Sequence, residues 1–209
     1  MTRISRRVAL ARLATIPLAA AFAFDRGVLD RAAGLTRALA AAEHVVPYVP
    51  KFFSAREWET VRLLVDYVIP RDERSGSATD ARVPEFMDFM LADAEASRSS
   101  RVAMRGGLAW MDVECRERFT RRFAGCTDAQ RRALLDDIAW PARARPALSQ
   151  GAAFFTHFRD FTASGFFSTE IGWRDLGYEG NGVYPSWEGC PPAALDKLGV
   201  RYDDAGGAR

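Results

Sequence analysis

The sequence predicts an all-α protein: an irregular bundle of about five helices with a long glycine- and aromatic-rich C-terminal segment wrapped on it. Three observations carry that expectation. Phe154, Phe155, Phe158 and Phe161 fall at i, i+1, i+4 and i+7, the spacing of one helix face. Two capping boxes, Ser54-x-x-Glu57 and Thr127-x-x-Gln130, each stand ahead of an apolar stripe, where the hydroxyl accepts a backbone N–H and the longer side chain reaches back to the cap. No run reads as a strand, and there is neither an internal repeat nor a low-complexity tract.

Taken in order, residues 24–51 read as a linker: Asp25 to Pro50 is rich in Ala and Arg, then broken by Pro47 and Pro50, so it is a linker or a loosely packed helix. The domain proper spans residues 52–209. Its first helix follows the Ser54 box, carries Trp58, Val61, Leu64, Val65 and Val68 on one face, and is stopped by Pro70. Arg71 to Asp80 is polar without an apolar period and is expected to be exposed. Pro84 then sits in the first turn of a second helix bearing Phe86, Met87, Met90 and Leu91. A third covers about 101–123, where Gly106-Gly107 marks a start, a kink or a close helix contact. The Thr127 box opens a fourth with Leu134, Leu135 and Ile138 inward, ending at Trp140-Pro141, and the Phe stripe makes a fifth over about 148–162. Such a stripe is core rather than a cofactor box, because buried aromatics dominate core energetics. The segment 165–199 holds seven of the sixteen glycines and six large aromatics, a mixture read as irregular and in need of a surface to lie on, with a short helical signal from Ala193 to Gly199.

With 209 residues, 48% of them hydrophobic, one domain with a sizeable core is expected. Arg3, Arg6, Arg7 and Arg12 fall in the first 23 residues with no acid among them, so removing that stretch takes the formal net charge from +2 to −2. A mildly acidic remainder has no electrostatic reason to bind nucleic acid. Ser5-Arg6-Arg7-Val8-Ala9-Leu10, the apolar run Leu13 to Phe24 and the small-residue site Ala21-Phe22-Ala23 form the pattern of a twin-arginine signal peptide over residues 1–23, which would direct the folded protein to the periplasm. The bland alternative is a disordered basic start followed by an Ala-rich helix. The run of roughly twelve residues falls short of the ~20 that cross a bilayer.

Three cysteines leave at most one bridge and a free thiol. On one continuous helix Cys115 and Cys126 would lie roughly 16 Å apart, too far for a disulfide. Cys115 continues the Leu108, Met111, Cys115, Phe119 stripe and reads as a small buried hydrophobe.

The groups that carry chemistry are sparse. His44 and His157 are the two histidines, and neither has a Glu three residues earlier, which removes the di-iron Glu-x-x-His motif. There is no Cys-x-x-Cys-His, no cysteine spacing for iron–sulfur, no Gly-x-Gly-x-x-Gly opening a helix after a strand and no Gly-x-Ser-x-Gly elbow. Asp66, Asp72, Glu73 and Asp80 flank the 71–80 loop without EF-hand spacing and read as solvated charge. No catalytic residue, cofactor ligand or metal ligand is assigned, and a binding or assembly role is favoured over a self-sufficient enzyme.

A family resemblance enters through Phe53-Ser54-x-x-Glu57, Asp66-x-x-Ile69-Pro70-x-Asp72, Ala81-x-Val83-Pro84-x-Phe86-x-Asp88, then Gly165-Phe166-Phe167, Asp175-Leu176-Gly177-Tyr178-x-Gly180-Asn181 and Trp187-x-Gly189-Cys190-Pro191-Pro192. Together, over roughly Phe52 to Val200, they resemble the gluconate 2-dehydrogenase subunit 3 family. The chain departs from it at Ser75-Gly76-Ser77-Ala78, where the family tends to place a Gly-Ala pair. The resemblance implies a small non-catalytic subunit of a periplasmic dehydrogenase complex that acts on sugars, sugar acids or alcohols and is membrane-associated through that complex. Its partner would be a large flavoprotein of the glucose–methanol–choline type that holds the FAD, often with a multihaem cytochrome c subunit carrying haem c. The small subunit's signal, Arg6-Arg7 here, would take the signal-less flavoprotein through the twin-arginine translocase, and the complex would keep that flavoprotein stable. On this footing Trp173, Tyr178, Tyr184 and Trp187 become the candidate partner-binding residues. Two other readings stand beside it: an independent periplasmic oxidoreductase or hydrolase with the tail as a lid, and a self-associating helical scaffold.

Overall fold

Eight α-helices and two 3-10 turns make up the secondary structure of the described residues, with no strand among them. The structure is a computed structural model and describes residues 26–41, 48–178, 180 and 189–202. Arg6 and Arg7, the whole 1–23 signal, His44, Tyr184 and Trp187 lie outside these. The helices are α1 (Arg26–Ala41), α2 (Ala55–Val68), α3 (Val83–Ala92), α4 (Arg98–Phe119), α5 (Asp128–Ile138), α6 (Ser149–Phe166), α7 (Glu170–Leu176) and α8 (Pro192–Leu198). The all-α expectation holds, while the count of about five falls short, for two reasons. Within the stretch left between linker and loose helix, Arg26–Ala41 form the regular helix α1, with Ala32 and Thr36 buried. The 165–199 segment, read as irregular before its short helical signal, also contains the end of α6 and all of α7.

Both capping boxes form as expected. Glu57 accepts the Ser54 N–H at 2.8 Å, and Gln130 accepts that of Thr127 at 2.9 Å. α6 is the hub: it packs on α2, α3, α4 and α5, and Phe154, Phe155, Phe158 and Phe161 are all buried there, with Phe86 and Phe161 ring centroids 5.8 Å apart. α4 runs unbroken through Gly106-Gly107. Of the three expectations for that pair, the close contact is the correct one, because the Phe154 ring of α6 occupies the space a Cβ at Gly107 would need. The relation is reciprocal: Gly151 of α6 accommodates the indole of Trp110 on α4 in the same way.

The chain divides into two compact units, Met1–Tyr178 and Glu179–Arg209. In the second, α8 ends at Gly199, whose φ of 64° favours glycine, and the Tyr202 hydroxyl accepts the Cys190 N–H while its ring lies over Gly189. No described helix is long and apolar enough to cross a membrane.

Candidate interaction surface

Three aspartates of the family-like pattern, Asp66, Asp72 and Asp88, turn out to serve the backbone. Asp88, fully buried on α3, accepts four hydrogen bonds: the N–H groups of Lys51 (2.7 Å), Phe52 (2.9 Å) and Phe53 (3.0 Å), and the Tyr48 hydroxyl (2.9 Å). Burial, followed by that bond to Asp88, pushes the Tyr48 phenol above its ordinary range. Asp66 accepts the Thr79 N–H at 2.8 Å, and Asp72 accepts those of Ser75 and Arg74, each at 2.8 Å, which holds its carboxyl below the usual carboxylate range. Asp80 accepts the Ser77 N–H at 2.7 Å and pairs with Arg71 at 2.7 Å. These bonds correct one expectation: the 71–80 loop is not wholly exposed, since Ser77 and Ala78 are drawn into the core and the Ala78 N–H donates to Ile69 O at 3.0 Å. Among the described residues no three of His, Cys, Asp or Glu stand together as a metal would require.

A cleft of about 370 Å³ opens where α1 meets the start of α7, lined by Thr36, Arg37, Asp80, Ala81, Thr169, Glu170 and Ile171. Its hydroxyls donate to backbone carbonyls, Thr36 to Ala33 at 3.0 Å and Thr169 to Phe166 at 2.6 Å. Its acids pair with arginines, Asp80 with Arg71 and Glu170 with Arg174.

The apolar surface stands on α7. Thr169 opens the helix by accepting the Gly172 N–H at 3.3 Å, and Gly172 lies so close to the Phe166 carbonyl that no side chain would fit. Gly177 closes it in the left-handed region, where the Tyr178 N–H returns to Trp173 O at 2.9 Å. Ile171 packs inward. Trp173 and Leu176 lie roughly 200° and 140° farther round the helix and point outward. Trp173 is 36% exposed, Leu176 62% and Tyr178 49%, and the Trp173 and Tyr178 rings meet edge to face at 6.2 Å. Arg74, from the 71–80 loop, steadies the helix end by donating to Asp175 O at 2.6 Å beside its carboxylate at 3.6 Å.

Of the four aromatics named from sequence, Trp173 and Tyr178 thus share one patch, and the other two are outside the described residues. Leu176 was missed. Its signal was present, because once Ile171 and Gly172 are placed inward a helical period puts Leu176 on the outer side.

These features define a class: a small all-helical protein in which Asp66, Asp72 and Asp88 serve the protein's own backbone and which shows an apolar aromatic patch at the end of its main bundle. Residues 55–182 match the family model described as gluconate 2-dehydrogenase subunit 3, and the chain belongs to that family. No curated protein and no solved structure matches it.

Proposed function

We propose that this chain is the non-catalytic accessory subunit of a periplasmic dehydrogenase complex, and that Trp173, Leu176 and Tyr178 are its contact with the catalytic subunit. One observation carries the proposal. Within the family-matched stretch, Asp66, Asp72 and Asp88 are engaged by backbone donors, while Trp173 and Leu176, on a helix fixed at both ends, and Tyr178, just past its cap, form a partly exposed apolar patch. Exposed aromatics on a preorganised element are the anchors that interfaces use, since their burial on binding costs little conformational entropy.

The catalytic partner is a flavoprotein of the glucose–methanol–choline type that holds FAD, oxidises a sugar, sugar acid or alcohol, and passes electrons to a cytochrome c subunit carrying haem c. The small subunit stabilises it and takes it through the twin-arginine translocase. That route moves folded cargo, so a signal-less partner has to bind before transport, and membrane association comes through the assembled complex.

Co-expression with the flavoprotein subunit and affinity capture tests the contact. Each of Trp173→Ala, Leu176→Ala and Tyr178→Ala is expected to weaken capture about tenfold, at ~1–2 kcal/mol per anchor, with the helical circular dichroism unchanged. Undiminished stoichiometric capture by the triple variant overturns the surface. The export role is tested separately by Arg6→Lys with Arg7→Lys, which should hold both subunits in the cytoplasm; flavoprotein reaching the periplasm regardless would remove it.

A further inference from the structure

Cys115 and Cys126 do not share one helix. α4 stops at Phe119, and Thr120, with φ 59° and ψ 15°, takes the left-handed conformation and turns the chain back. The returning 3-10 turn Phe123–Gly125 lies against the helix it has left, fixed by the Phe123 N–H donating to the Asp112 carboxylate at 3.0 Å. Asp112 is one helical turn before Cys115, and Cys126 ends the 3-10 turn, so the reversal carries the second cysteine toward the first. Arg131 holds that end by donating to Cys126 O at 2.7 and 3.1 Å. The two side chains meet inside the core, both thiols reduced, Cys115 fully buried and Cys126 3% exposed. The separation of roughly 16 Å expected for a continuous helix is therefore replaced by contact.

We propose that Cys115 and Cys126 form a redox pair that closes to an intrachain disulfide when the folded chain meets a disulfide oxidant, small-molecule or protein. The sulfur of Cys126, the less buried of the two, loses its proton and attacks one sulfur of the oxidant. The oxidant's S–S bond breaks, its other sulfur leaves as a thiolate, and a mixed disulfide remains on Cys126. Cys115 then gives up its proton and attacks the Cys126 sulfur, releasing the second oxidant thiol. Two protein thiols are oxidised and one external disulfide is reduced. The order follows access: Cys115 is fully buried and Cys126 is the one with some exposure, and burial, then the neighbouring Cys126 sulfur, also push the Cys115 thiol up, so Cys115 is placed to resolve rather than to start the exchange. The bond would tie the end of α4 to the turn before α5. The inference does not rest on the proposed function; export would supply the oxidising surroundings but is not needed for the chemistry.

The test uses the purified full chain treated with oxidised glutathione at pH 8, quenched, alkylated in denaturant and mapped by mass spectrometry. The expected product links the Cys115 and Cys126 peptides, leaves Cys190 out of that bridge, and raises the thermal midpoint by roughly 5–10 °C. Cys115→Ser should accumulate the glutathione mixed disulfide on Cys126, and Cys126→Ser should leave Cys115 unmodified. Three alkylated cysteines after treatment of the wild-type chain, or a bridge that includes Cys190, overturns the proposal. That measurement needs no variant to fold.

Discussion

The Phe154 ring lies directly over Gly107, so α4 and α6 approach at a point where only a hydrogen can stand between them. One residue earlier, Gly106 is exposed and has nothing within 4 Å of where its Cβ would be. The two glycines should therefore respond oppositely. Gly107→Ala forces Phe154 out of its place and is expected to cost about 1–3 kcal/mol by overpacking. Gly106→Ala is expected to gain about 0.5–1 kcal/mol from helix propensity. Urea denaturation of the two variants checks the sign of each.

Asp88→Ala removes the acceptor for three backbone N–H groups and the Tyr48 hydroxyl. A buried donor left unpaired costs about 1–3 kcal/mol, and of these bonds that of Phe53 is fully buried, so a loss of about 2–3 kcal/mol is expected. Hydrogen exchange should show residues 51–53 deprotected before the rest of the bundle opens.

Thr120 is a β-branched, exposed residue held at φ 59°. Thr120→Gly relieves that conformation and is expected to stabilise the protein by about 1 kcal/mol. An equal or larger loss in the melting experiment would show that the hydroxyl bond to Phe119 O at 2.6 Å matters more than the backbone.

Alkaline pH should weaken the fold earlier than its surface charges suggest. Cys115 and Tyr48 both have raised pKa values, so the folded state keeps protons that the unfolded chain releases. Their contribution is complete below about pH 8.5, then declines, first for Cys115 toward about 12 and next for Tyr48 above its ordinary range. Each group contributes at most about 1.4 kcal/mol per pH unit. Denaturation midpoints from pH 8 to 10.5 should fall, and Cys115→Ala should flatten the first part of that decline.

At acid pH the Tyr67–Asp128–Arg132 contact is the one to follow. The Tyr67 hydroxyl donates to Asp128 at 2.5 Å, and this bond, then that from Arg132, holds the carboxyl below its usual range. Its stabilising effect is present above the ordinary aspartate range and is lost as pH falls through the depressed value. Because Asp128 and Arg132 are largely exposed and screened by water, Asp128→Asn should lower stability only slightly, and less so at high salt.

Much of the bundle was legible because its signals are local: a hydroxyl three residues before Glu57 or Gln130, and phenylalanines at the period of α6. What escaped depends on distant groups. α7 exists because Gly172 fits the Phe166 carbonyl and Gly177 supplies the left-handed stop, so glycines that suggested irregularity instead bound a helix. The buried part of the 71–80 loop depends on Asp66, and the meeting of Cys115 with Cys126 on the conformation of Thr120, a residue whose type argues against it. Of the candidate surface, Trp173 and Tyr178 were visible as large aromatics in a polar context; Leu176 required knowing which side of α7 faces in.

The carboxylate of Asp88 also fixes where the protein can be cut. The matched family region begins at residue 55, yet α1 packs on α3 and all four donors to Asp88 lie between Tyr48 and Phe53. A fragment trimmed to 55–182 would bare one side of α3 and leave the Asp88 carboxyl without these four donors. A unit to express therefore keeps α1 and the Tyr48–Phe53 stretch, ahead of the boundary that family comparison draws.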